Sequence, residues 1–174
     1  MRTDPDIIVN VAETPPQGWM VGSVHVYPVR VYYEDTDVGG VVYYANYLKF
    51  AERARTEMLR LIGFPHAEMM ERDGRALAVR RCEADYIRPA RFDDSLEVHT
   101  GSIDLEAASL WIDQRVKRDG DVLVVLRVRL ACIGQDGKPA WLPARLRTAL
   151  MALAGVAGQD DSGIIGKTLI RERV

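Results

Sequence analysis

Residues 33–47 read Tyr-Glu-Asp-Thr-Asp-Val-Gly-Gly-Val-Val-Tyr-Tyr-Ala-Asn-Tyr. The stretch runs from a cluster of carboxylates, through the glycine pair Gly39-Gly40, into a segment with helical spacing. The first turn of a helix leaves backbone N–H groups unpaired and carries the positive end of the helix dipole, so it can polarise a carbonyl oxygen. Glycine has no Cβ, so a ligand can approach the backbone closely there. The sequence therefore places an acid beside a group that can polarise a carbonyl.

An amphipathic helix is predicted downstream, over about residues 42–62, because apolar residues recur at spacings of three and four. These residues are Tyr47, Phe50, Ala54, Met58 and Leu61. Gly63 is suited to end the helix, and Pro65 prevents its continuation. Two starts are open, since Asn46 could cap the helix and Gly40 could mark an earlier beginning.

Strands are predicted on both sides of this helix. Residues 23–33 are rich in β-branched and aromatic side chains, as in a first or edge strand. After Gly74 the apolar residues alternate, which predicts four consecutive antiparallel strands with hairpin turns at Asp119-Gly120 and Asp136-Gly137. A closing helix is expected over 143–153. The fold class is α+β, with the sheet covering the apolar face of the helix and leaving an exposed edge that favours dimerisation.

Composition favours one soluble domain. The chain has 174 residues, of which 48% are hydrophobic, and this suits a single core. The expected organisation is an N-terminal extension over 1–23, the domain over 24–153 and a C-terminal tail over 154–174. A net charge of −2 gives no general attraction to nucleic acid. We expect a cytoplasmic location, because the sequence has neither a secretory signal nor a membrane span.

Cysteine usage indicates neither a metal site nor a redox motif. Cys82 and Cys132 lie far apart in strand-like runs, and buried reduced thiols are the expectation for both. The three histidines also lack metal-ligand spacing. No metal and no cofactor is predicted.

The acidic cluster has three interpretations. In an extended backbone Asp35 and Asp37 would face the same side and could share a site. A calcium loop fits poorly, because Gly39 and Asn46 occupy positions that need oxygen ligands. The remaining alternatives are a solvated turn that caps backbone amides, and a catalytic carboxylate beside an oxyanion site.

A longer motif distinguishes between these alternatives. The stretch 33–47 continues through Phe50, Glu52-Arg53-Ala54-Arg55-Thr56-Glu57 and Leu59-Arg60, and later through 86–90 and Phe92-Asp93-Asp94. Together these segments resemble the hotdog-fold acyl-CoA thioesterases. The most similar branch contains the thioesterases associated with the Tol-Pal system, which are related to the 4-hydroxybenzoyl-CoA thioesterases. The resemblance covers about residues 24–153.

The resemblance implies a five-stranded antiparallel sheet wrapped around a long central helix, assembled as a homodimer or homotetramer. It implies an acyl-CoA substrate that is hydrolysed to a carboxylic acid and free CoA. Asp37 corresponds to the catalytic nucleophile or general base, and the backbone amide of Tyr44 to the group that polarises the thioester carbonyl. The predicted substrate-binding residues are Gly40, Val41, Val42, Asn46 and Tyr47.

Arg88 and Arg91 are candidates for binding the CoA phosphates, although solvation at a sheet edge would equally explain them.

Tyr44 stands where the Tol-Pal branch usually has histidine and the hydroxybenzoyl branch has tyrosine. Tyrosine is a poor proton shuttle at neutral pH, with a usual pKa of about 10. The alternative function is a non-catalytic hotdog protein that binds acyl thioesters or organises a partner complex.

Overall fold

A computed structural model describes residues 17–160 of the chain, with side chains as far as residue 155. Most of the predicted N-terminal extension (1–16) and the end of the predicted tail (161–174) lie outside the described residues. None of the helices within 17–160 is long and apolar enough to cross a membrane.

Within residues 17–160 the chain forms one six-stranded sheet and three α-helices. In chain order the elements are β1 (Trp19–Val21), β2 (Val24–Arg30), α1 (Asn46–Leu61), α2 (His66–Asp73), β3 (Arg75–Tyr86), β4 (Ser95–Leu105), β5 (Ser109–Arg118), β6 (Asp121–Gly134) and α3 (Ala144–Asp160). The strand order is β1-β2-β4-β5-β6-β3, and all neighbours are antiparallel. The predicted α+β class is confirmed. The strand count is six rather than five, because β1 lies inside the segment expected to precede the domain.

The predicted hairpin turn at Asp119-Gly120 is confirmed, whereas the turn at Asp136-Gly137 follows β6 and leads only to an isolated bridge between Ile133 and Pro139. Asp119 and Gly120 join β5 to β6, and both have positive φ, at 51° and 87°. Positive φ at both central residues is what a two-residue turn of type I′ requires. Gly137 also has positive φ, at 74°, in the turn that follows β6.

The sheet covers the apolar face of α1. Phe50, Ala54 and Met58 are at most 1% exposed and belong to one core cluster with residues of β2, β4, β5 and β6. Leu61, predicted to share this face, is 38% exposed because it lies at the end of the helix. The domain core therefore lies between α1 and the sheet.

Two helices differ from the prediction. The closing helix α3 is present and buries Leu146 and Leu150 completely, but it continues to Asp160. The short helix α2 was not predicted. Pro65, interpreted only as a barrier to α1, is the N-cap of α2.

Strand β3 is an edge of the sheet and pairs only with β6 within the described residues. All twelve of its residues are half-buried or exposed. Cys82 lies on this strand and is exposed, so the prediction that it is buried was wrong. Cys132, on the covered strand β6, is buried as predicted.

Candidate active site

The first part of the site is the turn between β2 and α1. Residues 33–35 form a single 3-10 turn, which directs the Asp35 side chain inward. Its Oδ2 accepts a hydrogen bond from the Tyr32 amide at 2.9 Å, and the residue is 7% exposed. The extended backbone assumed for this segment is therefore wrong, and Asp35 serves the turn while Asp37 is exposed.

The Asp37 carboxylate is held at the protein surface by its own turn. Its Oδ1 accepts a hydrogen bond from the Gly39 amide at 2.8 Å. The Asp37 carbonyl accepts from the Gly40 amide at 2.9 Å, and the Asp37 amide donates to the Val41 carbonyl at 3.0 Å. Asp37 is exposed, and its other carboxylate oxygen, Oδ2, has no hydrogen bond to the described residues.

The two glycines have different roles in this turn. Gly40 has φ +69°, a conformation that L side chains rarely adopt. A Cβ on Gly39 would lie 3.0 Å from Asp37 Oδ1. One glycine therefore permits the backbone conformation, and the other leaves room for the carboxylate.

The second part of the site is the start of α1. Asn46 is the first helical residue and Ala45 is the N-cap, so neither predicted start is right. Ala45 has no side chain that could cap the helix. Within residues 17–160, the N–H groups of Tyr44 and Ala45 donate to no backbone carbonyl. These amides are the hydrogen-bond donors that an oxyanion would need.

Hydrogen bonds join the acidic turn to the helix start. The Asp35 carbonyl oxygen accepts from the Tyr43 amide and from Asn46 Nδ2, both at 2.9 Å. Asn46 is 5% exposed. Asn46, predicted to bind substrate, thus lies below the surface, where its side chain fixes the acidic turn relative to the helix start.

Three exposed tyrosines surround the helix start. The Tyr43 and Tyr44 rings lie 4.6 Å apart, and Tyr86 packs edge-on against Tyr44 with centroids 6.2 Å apart. Hydrogen bonding to Tyr44 raises the pKa of Tyr43, and the charge of Asp37 adds a smaller increase. Tyr86 belongs to the motif at 86–90, but its role has no signal in the sequence, because the contact joins residues 42 positions apart.

A loop after β3 supports the same region. The Val42 amide donates to the Ala90 carbonyl at 2.8 Å, and Val41 forms an isolated bridge with Arg91. Tyr47 is 2% exposed, and its hydroxyl accepts from the Ala90 amide at 2.8 Å. The structure therefore brings Val41, Val42 and Tyr47 together with the loop that carries the predicted arginines.

The two arginines differ in their surroundings. Arg88 forms an exposed ion pair with Asp121 at 2.9 Å, which holds it toward the β5–β6 hairpin. The Arg91 guanidinium is exposed and has no ion pair among the described residues. Its backbone is fixed, since the Arg91 amide donates to Asp94 Oδ2 at 2.7 Å. Of the two, Arg91 has the more available charge beside the turn.

Known proteins share this architecture and sequence. Residues 31–150 match the thioesterase-like superfamily. The chain is 41% identical over 124 residues to the acyl-CoA thioesterase YbgC of Haemophilus influenzae, covering 71% of this chain and 91% of that protein. A probable thioesterase from Bartonella henselae has a TM-score of 0.66 and 38% identity, covering 69% of this chain and 99% of that one.

A third relative extends the comparison to a named aromatic thioester. The 1,4-dihydroxy-2-naphthoyl-CoA thioesterase of Synechocystis has a TM-score of 0.68 and 25% identity, covering 74% of this chain and 96% of that one. The match to the superfamily spans the acidic turn, α1 and the strands β3 to β6. The chain has the hotdog fold and belongs to the thioesterase-like superfamily, as a thioester hydrolase.

Proposed function

We propose that the protein hydrolyses an acyl-CoA thioester to a carboxylic acid and free CoA. The observation that carries this proposal is the exposed Asp37 carboxylate, held by the Gly39 amide beside the start of α1. At that start the Tyr44 and Ala45 N–H groups donate to no backbone carbonyl of the described residues. The named activities of the relatives support the same reaction.

Asp37 acts on the thioester carbonyl by one of two routes. As a general base it takes a proton from water, whose oxygen attacks the carbonyl carbon. As a nucleophile its oxygen attacks that carbon directly, and water then hydrolyses the mixed anhydride. Both routes place negative charge on the carbonyl oxygen, break the C–S bond and release CoA as the thiol after protonation. The Tyr44 amide stabilises the negative charge on the oxygen.

The remaining predicted residues bind or support the substrate. Gly40 is exposed and Val41 half-buried in the turn, and the buried Val42, Asn46 and Tyr47 support it from the interior. Arg91, and Arg88 once released from Asp121, would contact the CoA phosphates, since guanidinium groups bind phosphate through paired hydrogen bonds.

We also infer a homodimer, or a homotetramer built from such dimers, formed through the edge of β3. The strand has twelve residues and leaves one row of backbone groups unpaired in the described chain. Val79→Lys on this edge should produce a smaller species in light scattering. Val21→Lys on the opposite edge strand, β1, is the matched control, because both valines are about half exposed. An unchanged mass for Val79→Lys would contradict this interface.

The reaction is tested by thiol release from short-chain, long-chain and benzoyl-type acyl-CoAs. Turnover of at least one class is expected, and the ranking identifies the acyl group. The non-catalytic alternative predicts instead that acyl-CoA raises the melting temperature while no thiol is released. The intact Asp37 and the enzymatic relatives favour turnover.

A further inference from the structure

Tyr86, the last residue of β3, contacts the helix start from a separate element. Its hydroxyl donates a hydrogen bond to the Tyr44 carbonyl oxygen at 3.2 Å. Its ring packs edge-on against Tyr44 and lies 5.9 Å from the ring of the buried Tyr47. Three contacts therefore fix Tyr86 against the first residues of the helix.

The hydrogen bond acts on a peptide group whose other end is the N–H of Ala45, the N-cap residue of α1. The Tyr44 carbonyl and the Ala45 N–H belong to the same planar peptide unit, so orienting one orients the other. A hydrogen bond accepted by the carbonyl also polarises the unit and strengthens its N–H as a donor. The Ala45 N–H donates to no backbone carbonyl within residues 17–160.

Tyr86 is itself held in place by the sheet. It pairs with Val124 on β6. The next two amides, of Ile87 and Arg88, both donate to the Leu123 carbonyl, at 2.9 and 3.0 Å. Burial raises the pKa of Tyr86, so its hydroxyl keeps its proton at neutral pH and can donate.

We propose that Tyr86 is a positioning residue: it orients and polarises the Tyr44–Ala45 peptide so that the Ala45 N–H joins the Tyr44 N–H in stabilising the oxyanion. This inference rests on the proposed thioesterase function. It adds a second donor to the oxyanion site and a residue from the edge strand to the catalytic apparatus. Tyr86 does not touch the reacting atoms in this account.

Tyr86→Phe removes only the hydroxyl and is the test variant. Tyr27→Phe is the matched control, because Tyr27 is a half-buried tyrosine on β2, where it stacks on His25. For Tyr86→Phe, kcat should fall about three- to tenfold, the range expected from losing one hydrogen bond. KM should stay at the wild-type value, because the Ala45 N–H stabilises the oxyanion only in the transition state. The melting temperature should fall only slightly, because the free protein loses the single hydrogen bond to the Tyr44 carbonyl.

A measurement without substrate tests the hydrogen bond itself. In Tyr86→Phe the NMR resonances of the Tyr44 carbonyl carbon and the Ala45 amide nitrogen should shift, while both stay unchanged in Tyr27→Phe. Unshifted resonances, an unchanged kcat, or a raised KM at constant kcat would each overturn the proposal. A wild type that releases no thiol would instead reject the proposed function, and the role of Tyr86 with it.

Discussion

Asn46 Nδ2 lies 2.9 Å from the Asp35 carbonyl oxygen, and both residues are buried. The bond connects the turn that carries Asp37 to the first residue of α1. The position of the acid relative to the helix amides therefore depends on a side chain that is hidden from the substrate.

Asn46→Ala should lower the free energy of unfolding by about 1 kcal/mol, the usual contribution of one hydrogen bond. The effect is limited because the Tyr43 amide still donates to the Asp35 carbonyl. Urea denaturation measures it. Thr56→Ala, on the exposed face of the same helix, should stay within about 0.5 kcal/mol of wild type. Equal losses in the two variants would contradict the role assigned to Asn46.

Gly39→Ala should lower turnover by about tenfold or more, since small displacements of a catalytic group are costly. The added Cβ would lie 3.0 Å from Asp37 Oδ1, so the carboxylate must move. Gly155→Ala is the control, because a Cβ on Gly155 meets nothing within 4 Å. Full activity of Gly39→Ala, measured as thiol release, would show that the position of this carboxylate is unimportant.

Some elements of the fold follow from local sequence patterns, and others do not. The periodicity of α1, the alternation of the strands and the Asp119-Gly120 turn depend on local patterns, and all three predictions are confirmed. Strand β1 has only three residues, and α2 buries only Met69, so neither leaves a clear period. Tertiary contacts decided their structure.

The candidate site also combines features that local sequence patterns predict with features that only tertiary contacts decide. The sequence shows the spacing of Asp35 and Asp37, but the different orientations of their side chains depend on the 3-10 turn and on the Tyr32 amide. The contact between Tyr86 and Tyr44 requires β3 to end beside the helix start. No local pattern encodes either arrangement.

Acid should destabilise the protein partly through His25. This side chain is 0% exposed, and its Nε2 lies 2.7 Å from the Gln17 carbonyl oxygen. Its Nδ1 has no hydrogen-bond partner among residues 17–160. Burial lowers its pKa below the usual 6.5, against smaller opposing effects of the Gln17 hydrogen bond and the Glu57 charge. The contribution of the neutral His25 side chain to the free energy of unfolding is fully present above pH 6.5, the ordinary pKa of histidine. Stability is lost as the pH falls from there toward the folded-state pKa, because the unfolded chain binds more protons in that window.

The check compares the pH dependence of unfolding in wild type and His25→Gln. As the pH falls from neutral to below 6.5, the free energy of unfolding of His25→Gln should decrease less than that of the wild type. This comparison does not depend on how stable the variant is at neutral pH. His66 and His99, whose pKa values burial also lowers, are retained in both proteins. Identical pH slopes would contradict the account of His25.

The buried side chain of Arg55 leads to a further prediction about the stability of the fold. Arg55 is 7% exposed, and its Nη1 donates to Gln114 Oε1 at 2.6 Å. The same glutamine donates to the Ala51 carbonyl and to Thr100 Oγ1, both at 2.9 Å. Burial lowers the pKa of Arg55, but an arginine side chain stays protonated in proteins. Among the described residues, the hydrogen bond of this guanidinium goes to a neutral acceptor, and the charge of Glu52 acts on it only through space.

Gln114→Leu should cost about 2–3 kcal/mol of unfolding free energy, because it removes a hydrogen bond to a buried charge. The double variant Arg55→Met/Gln114→Leu should be more stable than Gln114→Leu alone, since no charge is then left unpaired. Urea denaturation of the wild type, both single variants and the double variant measures the coupling. Additive losses would show that the two side chains do not depend on each other.

The central claim is that the Asp37 carboxylate carries out thioester hydrolysis. The most direct test is kcat for thiol release by Asp37→Asn, beside Glu34→Gln, an exposed neighbouring carboxylate, as the control. Asp37→Asn should lose at least about a hundredfold in kcat, comparable to the loss of an oxyanion donor. Its melting temperature should stay near that of the wild type, and Glu34→Gln should remain active. An Asp37→Asn protein that turns over at the wild-type rate would contradict the account.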